Sequence, residues 1–173
     1  GEFAAARKLA LLNPSLFEKL IDLLTKATIR YLSEQIRSGV DTVQIFDSWA
    51  GLLPPSEFAR WVVTPTAEIV AALKKTFPQT PIIGFPRGAG VLYAGYTEQI
   101  RADGIGLDTQ TPVSYAVKTF APHICLQGNL DPLVLLAGGQ SLKEHTERIL
   151  HDAANHPFIF NLGHGIIKET PPE

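Results

Sequence analysis

Apolar and polar positions along the chain switch repeatedly between two periods. Helical spacing opens the pattern at 13–38, where Leu16, Leu20, Leu23, Leu24 and Ala27 form one stripe, three or four residues apart as an amphipathic helix requires. Asn13 suits the cap and Pro14 the first helical position, where a missing N–H costs nothing; Gly39 suits the stop. A short β-rich run at 42–46 follows, and the alternation restarts. Thr64-Pro65 opens a helix carrying Ile69, Val70 and Leu73, and 81–85 reads as a buried strand. A short helix over 96–102 leads to a strand at 104–107. Thr111-Pro112 opens the next helix, and 123–127 is a strand. A last long helix starts at Ser141, where Ser141 and Glu144 have capping-box spacing. The final strand is 158–161.

Five strand–helix alternations joined by short connections predict a parallel α/β fold. Two architectures fit: an open five-stranded sheet, which this length completes, and a (β/α)8 barrel, which typically needs about 250 residues. The strand ends favour the barrel. Asp47-Ser48-Trp49-Ala50-Gly51, Pro86-Arg87-Gly88-Ala89-Gly90, Asp108-Thr109-Gln110, Gln127-Gly128-Asn129-Leu130-Asp131 and Asn161-Leu162-Gly163-His164-Gly165 follow the five strands in turn. An open sheet concentrates its site at one switch point, whereas a barrel builds it around the whole mouth. Ordinary turn and cap chemistry accounts for Asp131-Pro132 and Thr111-Pro112. It accounts less well for Asn-Leu-Gly-His-Gly, where an imidazole stands between glycines that admit a ligand close to the backbone.

Composition narrows the classes. The 173 residues are 45% apolar and 18% charged, an ordinary globular balance. A net charge of -2 argues against a nucleic-acid partner, which calls for clustered Lys and Arg, but one or two donors still suffice for an anionic substrate. No apolar run approaches the ~20 residues of a membrane span. The lone Cys125 excludes an internal disulfide and suits a reducing, cytoplasmic setting. The start, Gly1-Glu2-Phe3, is no signal peptide; with no Met anywhere, the chain reads as incomplete.

Several chemistries drop out. Gly88-Ala89-Gly90 lacks the third glycine of a dinucleotide loop and no Gly-Lys-Ser/Thr occurs. Ser48 has no nucleophile-elbow spacing. His123-Ile124-Cys125 offers two zinc ligands, but no second cysteine completes a set, so no metal is expected.

Val43-Gln44-Ile45-Phe46-Asp47-Ser48-Trp49-Ala50-Gly51, Gly106-Leu107-Asp108, Leu126-Gln127-Gly128-Asn129-Leu130-Asp131-Pro132 and Asn161-Leu162-Gly163-His164-Gly165 together resemble the uroporphyrinogen decarboxylase family, in order and spacing, over essentially the whole chain. The resemblance implies a (β/α)8 TIM barrel of which this chain, over 1–173, supplies about five βα units, the carboxy-terminal part of one domain. It further implies a homodimer, no cofactor, and removal of the four acetate carboxyl groups of uroporphyrinogen as carbon dioxide to give coproporphyrinogen. Ser48 matches the family's substrate-contacting serine and His164 its substrate-contacting histidine. The family's paired arginines, central aspartate and substrate tyrosine precede Gly1, so no catalytic residue is expected here, and the missing amino-terminal part of the barrel becomes a partner. Asp47 and Asp108 do not match the aspartate's motif and read as loop holders. Arg87 reads as a mouth cation within reach of a propionate or acetate. Two alternatives stand beside this reading: a zinc- and cobalamin-linked methyltransferase of the same superfamily, and a non-catalytic fragment. Five strands alone leave open edges and an exposed apolar interior, an association hazard, and the chain by itself is expected to be inactive.

Overall fold

Each of the five expected strands forms, and the way they line up decides between the two architectures. A computed structural model describes residues 3–120 and 122–172; Gly1, Glu2 and Glu173, at the two chain ends, lie outside them. The strands are β1 (Val43–Asp47), β2 (Ile82–Pro86), β3 (Gly104–Gly106), β4 (Cys125–Leu130) and β5 (Phe158–Leu162). They pair in parallel and in sequential order, β1-β2-β3-β4-β5. An open doubly wound sheet reverses its order at a switch point, and no reversal occurs here. The sheet is an arc of five strands of a (β/α)8 barrel, the first four each followed by a helix.

The helices are α1 (Ala4–Leu12), α2 (Pro14–Arg37), α3 (Pro55–Phe58), α4 (Thr64–Thr76), α5 (Tyr93–Ile100), α6 (Val113–Thr119), α7 (Pro132–Ala137) and α8 (Gly139–Asp152). Among the described residues no helix is long and apolar enough to cross a membrane. Side chains alternate across a strand, so the row Ile45–Gly84–Ile105–Leu126–Phe158 faces the helices. There Val43, Ile82, Ile105 and Leu126 pack with Ile69, Val70 and Leu73 of α4, Tyr93, Tyr96 and Ile100 of α5 and Val113 of α6. The opposite face carries Gln44 and Phe46 on β1, Phe85 on β2, Gly106 on β3, Gln127 on β4 and Ile159 on β5. Phe46 on that face is 66% exposed.

Four local expectations change. The Leu16, Leu20, Leu23, Leu24 stripe is exposed, Leu23 by 64%. α2 instead turns Thr25 and Leu32 inward, with Ile29 and Ile36 packed against the core. Both stripes have helical spacing, so periodicity could not choose between them. Thr64-Pro65 opens α4 as expected, but not out of a loop: α3 runs into α4 through a π-helical turn at Ala59–Val63. The Thr64 hydroxyl donates to Ala59 O at 3.0 Å, and the wider turn accommodates a proline that has no N–H to give. The capping box at Ser141 is absent, since α8 begins at Gly139 after Gly138 at φ +64, and Glu144 accepts from Gln140 instead. Finally β4 starts at Cys125 and runs on to Leu130, so Asn129 joins Gln127 as a strand residue and His123 precedes the strand.

Candidate active site

The carboxyl ends of the strands are joined to one another by a belt of short contacts. After β1, Gly51 N donates to Arg87 O and Arg87 N to Asp47 O, both at 3.0 Å. A Cβ on Gly51 would strike the Gly88 backbone, so glycine is required there by close approach of two loops. After β3, Asp108 is 3% exposed. Its Oδ2 accepts from Gly88 N at 2.6 Å and from the Tyr93 hydroxyl at 3.5 Å; its Oδ1 accepts from Gln110 N at 3.1 Å and the Thr111 hydroxyl at 2.8 Å. Burial and the neighbouring Asp108 carboxylate push the Tyr93 phenol far up, so it stays a donor. Asn129 on β4 donates to Asp108 O at 2.8 Å and Thr111 O at 2.6 Å. After β5, a Cβ on Gly163 would meet Thr109 N at 2.5 Å.

Inside this belt lies a cleft of about 510 Å³, lined by Gln44, Phe46, Ser48, Phe85, Gln127, Asn161 and His164 among others. Ser48 reaches it from the end of β1 and His164 from the end of β5, so residues far apart in sequence line one cleft. Nδ1 of His164 accepts from Gly165 N at 2.6 Å, which in the neutral ring leaves the proton on Nε2 as a donor. The floor is polar: Gln127 Nε2 donates to Gln44 Oε1 at 3.0 Å across the sheet. Phe85 and Phe46 meet edge to face at 5.9 Å. A Cβ on Gly106 would lie 2.8 Å from the Phe85 ring, so glycine there gives the ring its seat. The cleft thus offers a hydroxyl, an imidazole N–H and amides above an aromatic platform, a donor set for carboxylates on a flat organic ring.

The other candidates fall elsewhere. Asp47 points to the helix side, holds Trp49 N at 3.2 Å, and has its carboxyl raised by burial, with the Trp49 and Ala50 amides opposing. Asp131 caps α7 through Leu133 N at 2.8 Å. Cys125, its thiol pushed up by burial, has no second cysteine in the chain; among the described residues no three His, Cys, Asp or Glu side chains gather as metal ligands. One reading of the glycines changes: Gly163 is small for the sake of the β3 loop, while Gly165 borders open space. Sequence reasoning missed Gln44 and Gln127 as a pair, although both are polar residues on the inward beat of apolar strands.

The pattern of the family described as uroporphyrinogen decarboxylase (URO-D) matches residues 1–173. The chain is 49% identical over 172 residues to the uroporphyrinogen decarboxylase of Granulibacter bethesdensis, covering 99% of this chain and 50% of that protein. It is 45% identical to that of Rhodospirillum rubrum, covering 99% of this chain and 49% of that protein. The chain therefore spans about half the length of the curated relatives it matches. Among solved structures, a methyltransferase from Methanosarcina mazei superposes with a TM-score of 0.84 at 19% identity, covering 96% of this chain and 48% of that one; at that identity it speaks for the fold alone.

Proposed function

Because this chain belongs to the uroporphyrinogen decarboxylase family, we propose that it forms the Ser48–His164 side of the substrate cleft in a cofactor-free carboxy-lyase. That enzyme converts uroporphyrinogen III to coproporphyrinogen III in tetrapyrrole biosynthesis. The observation that carries the reading is the shared cleft: Ser48 and His164 arrive from opposite ends of the sheet to line one cleft with the Gln44–Gln127 pair. A tetrapyrrole bearing eight carboxylates needs such donors, and charge-assisted hydrogen bonds to a carboxylate are the stronger kind. Ser48 Oγ and His164 Nε2 donate to acid arms and hold one ring in place.

Each cycle protonates a pyrrole ring carbon, which makes the ring an electron sink. The C–C bond to the acetate carboxylate breaks, its electron pair enters the ring, and carbon dioxide leaves. A proton then adds to the exposed methylene carbon and the ring proton is released, leaving a methyl group. This route calls for a negative group near the pyrrole N–H donors. Asp47 lies on the helix side and Asp108 has both oxygens occupied, so that group comes from the rest of the barrel, which with these five units completes a single domain. The same reading carries a homodimer in the cytoplasm, and no activity for residues 1–173 alone.

The test is steady-state kinetics on the full-length protein. Ser48→Ala and His164→Ala should each raise KM for uroporphyrinogen by about tenfold or more, the loss of one hydrogen bond to a charged group. Unchanged kinetics in both variants would remove the site assignment. Stoichiometric zinc in the purified protein would favour methyl transfer instead.

A further inference from the structure

A second cleft, of about 310 Å³, shares Ser48 with the first and is lined by Trp49, Gly51, Arg87, Gly88, Asp108, Thr109 and Gln110 among others. We propose that this cleft is a carboxylate subsite anchored by Arg87, taking one acid arm of the tetrapyrrole while a neighbouring arm engages Ser48 and His164. The inference rests on the decarboxylase reading and names a binding residue that reading leaves unassigned.

The base of the side chain is held in place. The backbone of Arg87 is clamped on both sides, its N–H on Asp47 O and its carbonyl under Gly51 N. Its Nη1 donates weakly to Ser48 O at 3.4 Å, and its Cζ lies 6.0 Å from the centroid of the Trp49 ring. One long bond and an aromatic neighbour leave most of the five N–H donors of the fork open.

The charge is also uncompensated. Among the described residues Arg87 makes no ion pair, and unlike the other unpaired cations it lines this cleft, which contains no other Lys or Arg. The carboxylate in the same cleft does not serve: both oxygens of Asp108 are taken by Gly88 N, Gln110 N, Thr111 and Tyr93. Asp47, next along the chain from Ser48, spends its carboxyl on Trp49 N. In a chain of net charge -2, a lone cation set between the walls of a polar cleft is matched to an anion arriving from outside. Arginine takes a carboxylate bidentately, with direction as well as charge. Each ring of uroporphyrinogen carries an acetate and a propionate on adjacent carbons, so two adjoining clefts joined at Ser48 fit two adjoining arms.

The experiment compares wild type, Arg87→Gln and Arg87→Lys in the full-length protein by two readouts. In turnover of uroporphyrinogen, Arg87→Gln should raise KM about tenfold with a smaller change in kcat, and Arg87→Lys should recover part of the loss. In binding, tryptophan quenching by coproporphyrin, a stable tetracarboxylate, should report a similar rise in Kd. A KM loss without a Kd loss also supports the subsite and assigns it to an acetate arm, which coproporphyrin lacks. Unchanged KM and Kd in Arg87→Gln overturn the proposal. So does equal impairment of both variants with lowered urea midpoints, because the arginine then serves only the loop. Wild-type protein that binds coproporphyrin through Arg87 but releases no carbon dioxide from uroporphyrinogen would overturn the decarboxylase reading and leave the subsite standing.

Discussion

Asp108→Asn separates a loop-holding carboxylate from a reacting one. The aspartate receives backbone N–H bonds on opposite oxygens, Gly88 N on Oδ2 and Gln110 N on Oδ1. An asparagine has one carbonyl oxygen and one amide nitrogen, so in either orientation one of those N–H groups faces another donor. The loss is one hydrogen bond to a charged acceptor, about 1.5–3 kcal/mol. Gly88 is exposed on its loop, so water recovers part of it, and about 2 kcal/mol is expected. Asp108→Ala also strands the Thr111 hydroxyl and weakens the seat of Tyr93, raising the cost to about 4 kcal/mol. Urea unfolding of the full-length protein at constant m measures both. With substrate present, turnover should fall only as far as the loosened Arg87-Gly88 loop raises KM. If Asp108→Asn unfolds within about 0.5 kcal/mol of wild type while kcat collapses, the carboxylate takes part in the chemistry and its structural assignment is wrong.

Two further outcomes test the belt and its electrostatics. Burial raises the Asp47 carboxyl, so its contribution to stability is present below the unfolded value of about 3.9 and is lost as pH rises through the folded one. Asp47→Asn, which keeps an acceptor for Trp49 N, should therefore gain stability relative to wild type between pH 4 and pH 7 in urea titrations; a relative loss over that range would mean the charge has a partner. Gly163→Ala places a methyl 2.5 Å from Thr109 N, and relieving it should cost about 2–3 kcal/mol and raise KM by displacing His164. A variant as stable and active as wild type would show that the two loops do not interlock.

The strand ends were legible because each concentrates polar and glycine residues where an apolar run stops. That pattern alone puts Ser48, Arg87 and His164 at the mouth. The roles of Asp47 and Asp108 were only partly legible: one carboxylate turns to the helices and the other into the belt, a difference set by strand pleat and by the partners 20 residues back at Gly88. The Gln44–Gln127 bond spans 83 residues, and no local pattern signals it. The buried face of α2 was unreadable for another reason, since two apolar stripes at equal spacing compete and only the neighbour α4 decides. Proline at 65 marked the start of α4 but gave no sign of the helical turns before it, because a π turn removes the hydrogen bond that proline would have broken.

Ser48 and His164 hang from the first and last strands of the arc, so the gap between them records how tightly the sheet is curled. A ligand gripping both acts as a strut across an arch: flattening the sheet stretches it, and its presence resists flattening. By linkage, anything that stiffens the curl tightens the grip by the same factor. The seat of Phe85 on Gly106 lies on the inner curve of that arch. Bulk added there would alter affinity through the span of the arch as well as through the shape of the cleft it lines.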